Sequence, residues 1–102
     1  MKLVVAIIRS GKLPDVKDAL LDEDIAGFSA CEVMGCGNQW GRTESEMVSA
    51  VEANLVKKTK IDIEVPDEGV RRVIQKITEV CRTGRIGDGK IFVLNVPQSI
   101  AV

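Results

Sequence analysis

From residue 83 to residue 90 the chain reads Thr-Gly-Arg-Ile-Gly-Asp-Gly-Lys, three glycines in close succession followed by a lysine. Glycine allows backbone N–H groups to come close to an anion, and a neighbouring lysine adds a point charge for a phosphate. Gly87, Asp88, Gly89 and Lys90 therefore have the makings of a phosphate cradle. The same pattern suits a plain helix-to-strand connection with a solvated lysine, and three glycines alone favour that plainer reading.

Other chemistry is poorly supplied. The chain has no histidine and no tyrosine, so acid–base work falls to Asp, Glu, Lys or Cys. No nucleophile, base and orienting group can be assembled from these, which leaves Cys36, set between two glycines, as the candidate nucleophile for a small enzyme. Zinc would need thiolates and carboxylates alone. Cys31 and Cys36 lie five apart on an expected strand, and an odd offset sends their side chains to opposite faces. An odd count of three cysteines without secretory context argues against a disulfide framework. All three read as small buried or half-buried residues.

Charge narrows the field further. Fourteen basic and fifteen acidic residues leave a net charge of -1, with no broad field to attract nucleic acid or an acidic membrane surface. Any anion site must be local. The apolar stretch that ends at Ile8 is too short for a secretory signal or a membrane span, so a soluble cytoplasmic protein is expected. A chain of 102 residues makes one domain with a core that has little to spare, and assembly would help it. Phe28, Trp40 and Phe92 are the aromatic residues, so aliphatic side chains must fill the interior.

Four strands and two helices can position the glycine-rich segment. Leu3 to Ile8 is a continuous apolar run suited to a central strand covered on both sides. Pro14 fits the first turn of a helix with Val16, Ala19 and Leu20 as its apolar stripe. Phe28 to Met34 reads as a strand, broken by Gly35, Cys36 and Gly37. From Asn38 to Leu55 no period appears, and so long a structureless segment in a small domain is functional or disordered. Ile61, Ile63 and Val65 alternate with Lys60, Asp62 and Glu64 as a strand with one charged face. Asp67 is a candidate N-cap for a helix with Val70, Val73, Ile74, Ile77 and Cys81 as its stripe, and Gly84 is the candidate C-cap. Ile91 to Val96 completes a βαββαβ order. Two helices cover one face of such a sheet, and the scarcity of aromatics argues against nucleic acid on the other. Subunit contact is the better reading.

The segment Cys81-Arg82-Thr83-Gly84-Arg85-Ile86-Gly87-Asp88-Gly89-Lys90-Ile91-Phe92-Val93 resembles the C-terminal signature of the PII signal-transduction family. Gly35-Cys36-Gly37-Asn38-Gln39-Trp40-Gly41-Arg42-Thr43-Glu44 is similar to that family's approach to its T-loop, and Lys58, Lys60 and Ile61 fall on its return strand. The resemblance covers nearly the whole chain. It implies an α+β, ferredoxin-like βαββαβ sandwich over residues 1–102, with two helices on one face of a four-stranded antiparallel sheet, assembled as a homotrimer. Residues 38–55 would be the T-loop and 83–90 the nucleotide loop.

The resemblance also implies a signalling role without catalysis, in which ADP, AMP or ATP binds between subunits and the T-loop controls a transporter or an enzyme. Carried over, Ser29, Gly37, Asn38, Gln39, Asp62, Gly87, Asp88, Gly89 and Lys90 would line the nucleotide cleft. Gln39 would be the side-chain ligand of a magnesium ion that arrives with ATP. Lys58 reads either as the partner of a 2-oxoglutarate carboxylate, with Gln39 beside it, or as an ordinary strand-end lysine. Met47, Val48, Ser49 and Val51 would be the partner-binding part of the loop.

Several positions depart from the family pattern. Asn38 replaces an arginine, Ala101 stands where another arginine is usual, and the sequence stops at Val102 before a third. Charge-assisted bonds to phosphate are strong, so their loss shifts the expectation from ATP toward ADP or AMP. Val51 replaces a tyrosine that some relatives uridylylate, Met47 replaces a channel-inserting arginine, and Ser49 falls where certain relatives are phosphorylated. The apolar Met47, Val48, Val51, Leu55 and Val56 suggest that the loop docks on a partner. An alternative is a degenerate trimer that has lost its ligand and serves as a constitutive interaction protein.

Overall fold

The structure, a computed structural model, describes residues 1–23, 25, 27–35 and 55–102. Strand β1 spans Lys2–Ile8, helix α1 Leu13–Leu20, strand β2 Phe28–Gly35, strand β3 Val56–Val65, helix α2 Val70–Cys81 and strand β4 Gly89–Asn95. Short 3-10 turns at Ser10–Lys12 and Asp67–Gly69 lead into the helices. The four strands form one sheet in the order β2-β3-β1-β4, every neighbouring pair antiparallel. This is the expected ferredoxin-like βαββαβ arrangement.

The apolar run of β1 sits where such a run belongs, between β3 and β4. In its register Val4 faces Ile63 and Val93, and Ala6 faces Ile61 and Ile91. Val4, Ala6 and Ile8 join Ile61, Ile63 and Val65 in the core beneath Val16 and Leu20 of α1 and Val73, Ile77 and Cys81 of α2. Burying a side chain of this size contributes roughly 1.5–3 kcal/mol, so a single aliphatic layer carries most of the stability. Pro14 stands in the first turn of α1, where its missing N–H is harmless.

Strand β3 begins at Val56, several residues before its clear alternation. Lys57, Lys58 and Thr59 disguise that start, yet Thr59 faces the core and satisfies its hydroxyl on Ser10 Oγ at 2.9 Å. On the opposite sheet face Leu3, Val5 and Ile7 of β1 lie beside Phe92 and Leu94 of β4, which are 46% and 48% exposed. Lys58, Lys60, Asp62 and Glu64 make the neighbouring strip polar. No helix lies over this face among the described residues.

Three sequence expectations need correction. Asp67 does not cap α2: it starts the preceding turn, Gly69 holds the N-cap, and the Asp67 carboxylate accepts a hydrogen bond from the Met1 ammonium at 2.5 Å. Gly84 does not close α2, because Arg82 already leaves the helix with extended backbone; Gly84 serves the next turn at φ 85°. Cys81 is buried as expected, but Cys31 is exposed, since β2 is an edge strand and the helices do not cover that side of it. Cys36 lies outside the described residues. Among the described residues no helix is long and apolar enough to cross a membrane.

Candidate functional site

The end of the sheet where β1 finishes gathers the polar residues of interest. Ile8 is paired with Thr59 on one side and Gly89 on the other, so Arg9, the start of β3 and the glycine loop converge there. Gly35 pairs with Val56 at the same end.

Gly89 is fixed by packing. It has φ 130°, and a Cβ at this position would fall 2.1 Å from the Ile7 carbonyl oxygen and 3.2 Å from Ile8 Cα. Backbone cannot yield as a flexible side chain would, so β4 can approach β1 here only without a side chain. Gly87 also has a positive φ of 98°.

Asp88 organises the loop from within. Its carboxylate accepts hydrogen bonds from the Thr83 hydroxyl at 2.5 Å, the Thr83 amide at 2.8 Å and the Gly84 amide at 2.9 Å. Arg9 Nη2 approaches the same carboxylate at 3.5 Å. The Thr83 hydroxyl, then its amide, with the Gly84 amide and Arg9 adding less, hold the Asp88 carboxyl well below the usual carboxylate range. The Thr83 hydroxyl in turn accepts from the Arg85 amide at 3.2 Å. With its oxygens engaged in this way, Asp88 shapes the backbone of the loop from Thr83 to Asp88.

Two cations fasten the loop from outside. Arg9 Nη2 donates to the Ile86 carbonyl at 2.9 Å, and Lys58 Nζ donates to the Gly87 carbonyl. Burial, and after it the Arg9 charge, push the Lys58 pKa down, while Asp88 pulls it back up. Arg9 and Thr83 are the residues that sequence reasoning missed. A signal for Arg9 existed, a cation directly after the strand that must border the loop; Thr83 carried none beyond its place at the start of the segment.

Lys90 lies on the uncovered sheet face, opposite Ile7, with its ammonium 5.9 Å from the centre of the Phe92 ring. Ser29 and Asp62 are directly paired on the same face, and the Asp62 carboxylate lies 3.7 Å from Lys60 Nζ. Ser29 belongs to edge strand β2 and Lys90 to edge strand β4, with β3 and β1 between them. Three strand spacings make about 14 Å. One protomer therefore brings together Arg9, Lys58 and residues 83–90, but keeps Ser29 and Asp62 apart from Lys90. Gly37, Asn38, Gln39, Met47, Val48, Ser49 and Val51 lie outside the described residues, and the magnesium ligation expected of Gln39 lies there with them. Among the described residues no group of three Cys, Asp or Glu side chains is placed to hold a metal ion.

The arrangement sets a glycine-rich loop and two cations together at one end of the sheet, and comparison with known proteins points to a regulatory protein. Residues 1–102 match the family described as Nitrogen regulatory protein P-II. The chain is 41% identical over 102 residues to a Nitrogen regulatory protein P-II of Haemophilus influenzae, covering all of this chain and 91% of the relative. Identity to the protein of the same name from Nostoc punctiforme is 45%, with the same coverage. A Nitrogen regulatory protein P-II 2 of Methanothermobacter thermautotrophicus is 44% identical over 102 residues, covering all of this chain and 89% of that protein. Matched along its whole length, with the strand order and glycine loop described above, the chain belongs to the nitrogen regulatory protein P-II family, a family of signalling regulators and not of enzymes.

Proposed function

We propose that the protein binds an adenine nucleotide in clefts between the subunits of a homotrimer and controls a partner protein, a transporter or an enzyme, through residues 38–55. The observation that carries this reading is the glycine loop itself. Gly89 is held against the Ile7 carbonyl, Asp88 organises the turn before it, and Lys90 follows at the edge of the uncovered face. Loop amides and one lysine suit a phosphate.

Two features support assembly. Exposed Phe92 and Leu94, with half-buried Leu3 and Ile7 beside them, form apolar surface that a second copy would bury. The two halves of the expected cleft also sit on opposite edges of the sheet. Apposing the β2 edge of one copy to the β4 edge of the next brings Ser29 and Asp62 to Lys90, and repeating that heterologous contact closes a ring.

ADP or AMP should bind as well as ATP or better. ATP brings more charge into the cleft, while Asn38 and Ala101 stand where relatives are expected to carry arginines. Each missing charged contact costs about 1.5–3 kcal/mol, enough together to cancel a preference for the triphosphate. Magnesium and 2-oxoglutarate would follow ATP, with Gln39 as a ligand and Lys58 as a carboxylate partner. Calorimetric titration with AMP, ADP and ATP, alongside sedimentation, tests the reading: a trimer with ADP at least equal to ATP is expected, and a monomer or a strong ATP preference contradicts it. The second reading, a trimer without a ligand, draws on the same missing arginines and on the loop carbonyls that engage Arg9 and Lys58. Absence of binding by all three nucleotides would establish it.

A further inference from the structure

The glycine loop turns two consecutive carbonyls onto two cations from distant parts of the chain. Arg9 follows β1, Lys58 lies near the start of β3, and the register that pairs Ile8 with Thr59 continues toward these two residues. Like charges brought together are costly unless oxygen lies between them. Here the oxygens are the Ile86 carbonyl on Arg9 and the Gly87 carbonyl on Lys58, with the Asp88 carboxylate 3.5 Å from Arg9. Burial lowers the Lys58 pKa most, and the nearby Arg9 charge lowers it further. Arg9 Nε, moreover, is buried with no hydrogen-bond partner among the described residues. A neutral carbonyl is a weaker partner for a cation than a phosphate or carboxylate oxygen.

We propose that the Ile86 and Gly87 carbonyls are an internal stand-in for anion oxygens, and that an arriving phosphate or carboxylate takes Lys58 only by turning the Gly87 carbonyl away. This rests on the reading of the loop as an anion site. The hinge is present: turning this carbonyl changes Gly87 ψ and Asp88 φ, and at its φ of 98° Gly87 can take widely different ψ values that a residue with a Cβ could not. Rotating the peptide between Gly87 and Asp88 removes a carbonyl dipole that repels the anion and presents the Asp88 N–H in its place. Occupancy of Lys58 is thereby coupled to loop conformation. Gly89, held against β1, anchors the far end of the loop throughout, while the Asp88–Thr83 contacts loosen when the Lys58 fastening is lost.

Amide exchange and the Gly87 carbonyl resonance test both parts. In the nucleotide-free protein, Lys58→Met should speed exchange of the Gly84 and Arg85 amides roughly tenfold, because a charge-assisted bond is lost. Lys57→Met, which removes a neighbouring exposed lysine paired with Glu32 at 3.6 Å, should leave them unchanged. Equal exchange in wild type and Lys58→Met overturns the fastening. The carbonyl resonance is then followed with ADP, and separately with magnesium, ATP and 2-oxoglutarate together. A shift with ADP alone assigns the displacing oxygen to phosphate; a shift only in the second mixture assigns it to the carboxylate if it vanishes when 2-oxoglutarate is left out, and to the ATP γ-phosphate if it persists. Calorimetric binding without any shift overturns the displacement while leaving the nucleotide site intact. Failure of both mixtures to bind overturns the nucleotide reading and the displacement with it.

Discussion

The helix-covered side of the sheet and the loop from Thr83 to Asp88 are held by different physics. The first is a layer of aliphatic side chains, Val4, Ala6 and Ile8 against Ile61, Ile63, Val65, Val73 and Ile77, all fully or nearly fully buried. Its stability scales with apolar area and depends little on which methyl group sits where. The loop has little apolar content; it is shaped by one carboxylate, two cations and a glycine that tolerates no side chain. Such a segment can change conformation by exchanging oxygen partners, whereas the core cannot move without creating cavities. A regulator needs both kinds of region side by side.

The contrast can be broken from either side. Ile63→Ala should lower the stability of the whole domain by about 3–4 kcal/mol, through lost burial and a residual cavity, without changing how the loop is fastened. Denaturant unfolding measures it, and a loss below about 1 kcal/mol would mean that the sheet is held by something other than this layer. Gly89→Ala should cost about 3 kcal/mol by forcing Cβ against the Ile7 carbonyl, and it should also spoil anion binding, because it moves the one point where core and loop meet. Unchanged stability in that variant would refute the close approach.

Acid should separate the regions further. The folded-state pKa values of Asp88 and Asp67 lie below those of the unfolded chain, the first through Thr83 and the second through the Met1 ammonium. Their stabilisation is therefore fully present above the unfolded carboxylate value of about 4 and is lost as pH falls below it. Thermal midpoints should drop below that pH, and Asp88→Asn, less stable than wild type at neutral pH, should approach it in acid. Parallel curves for the two proteins would contradict the role given to Asp88. The smallest effect is expected at Gly84, where φ is 85° but a Cβ meets nothing within 4 Å. Gly84→Ala should cost only about 1–2 kcal/mol from backbone strain.

Much of the fold was legible because alternation and helical spacing report burial directly. Ile61, Ile63 and Val65 declare a strand face, and Val70, Val73, Ile77 and Cys81 declare a helix stripe. The helix ends were less so. Asp67 looks like a cap until the chain terminus, remote in sequence, claims its carboxylate, and Gly84 looks like one until Arg82 turns out of the helix first. At the candidate site the glycines were visible as a motif, but their separate duties were not. That Gly89 answers to Ile7, and Asp88 to Thr83, depends on contacts that spacing does not encode. Cys31 was misjudged because burial on an edge strand depends on what covers each side, which a local pattern cannot show.

The claim that the glycine loop and Lys90 form the phosphate end of a nucleotide cleft is tested most directly by titrating ADP into the wild-type protein and into Lys90→Ala, with sedimentation confirming that both keep the same assembly. Saturable binding by wild type is expected, with affinity at least tenfold weaker in Lys90→Ala through the loss of one charge-assisted contact. Equal ADP affinity in the two proteins would contradict it.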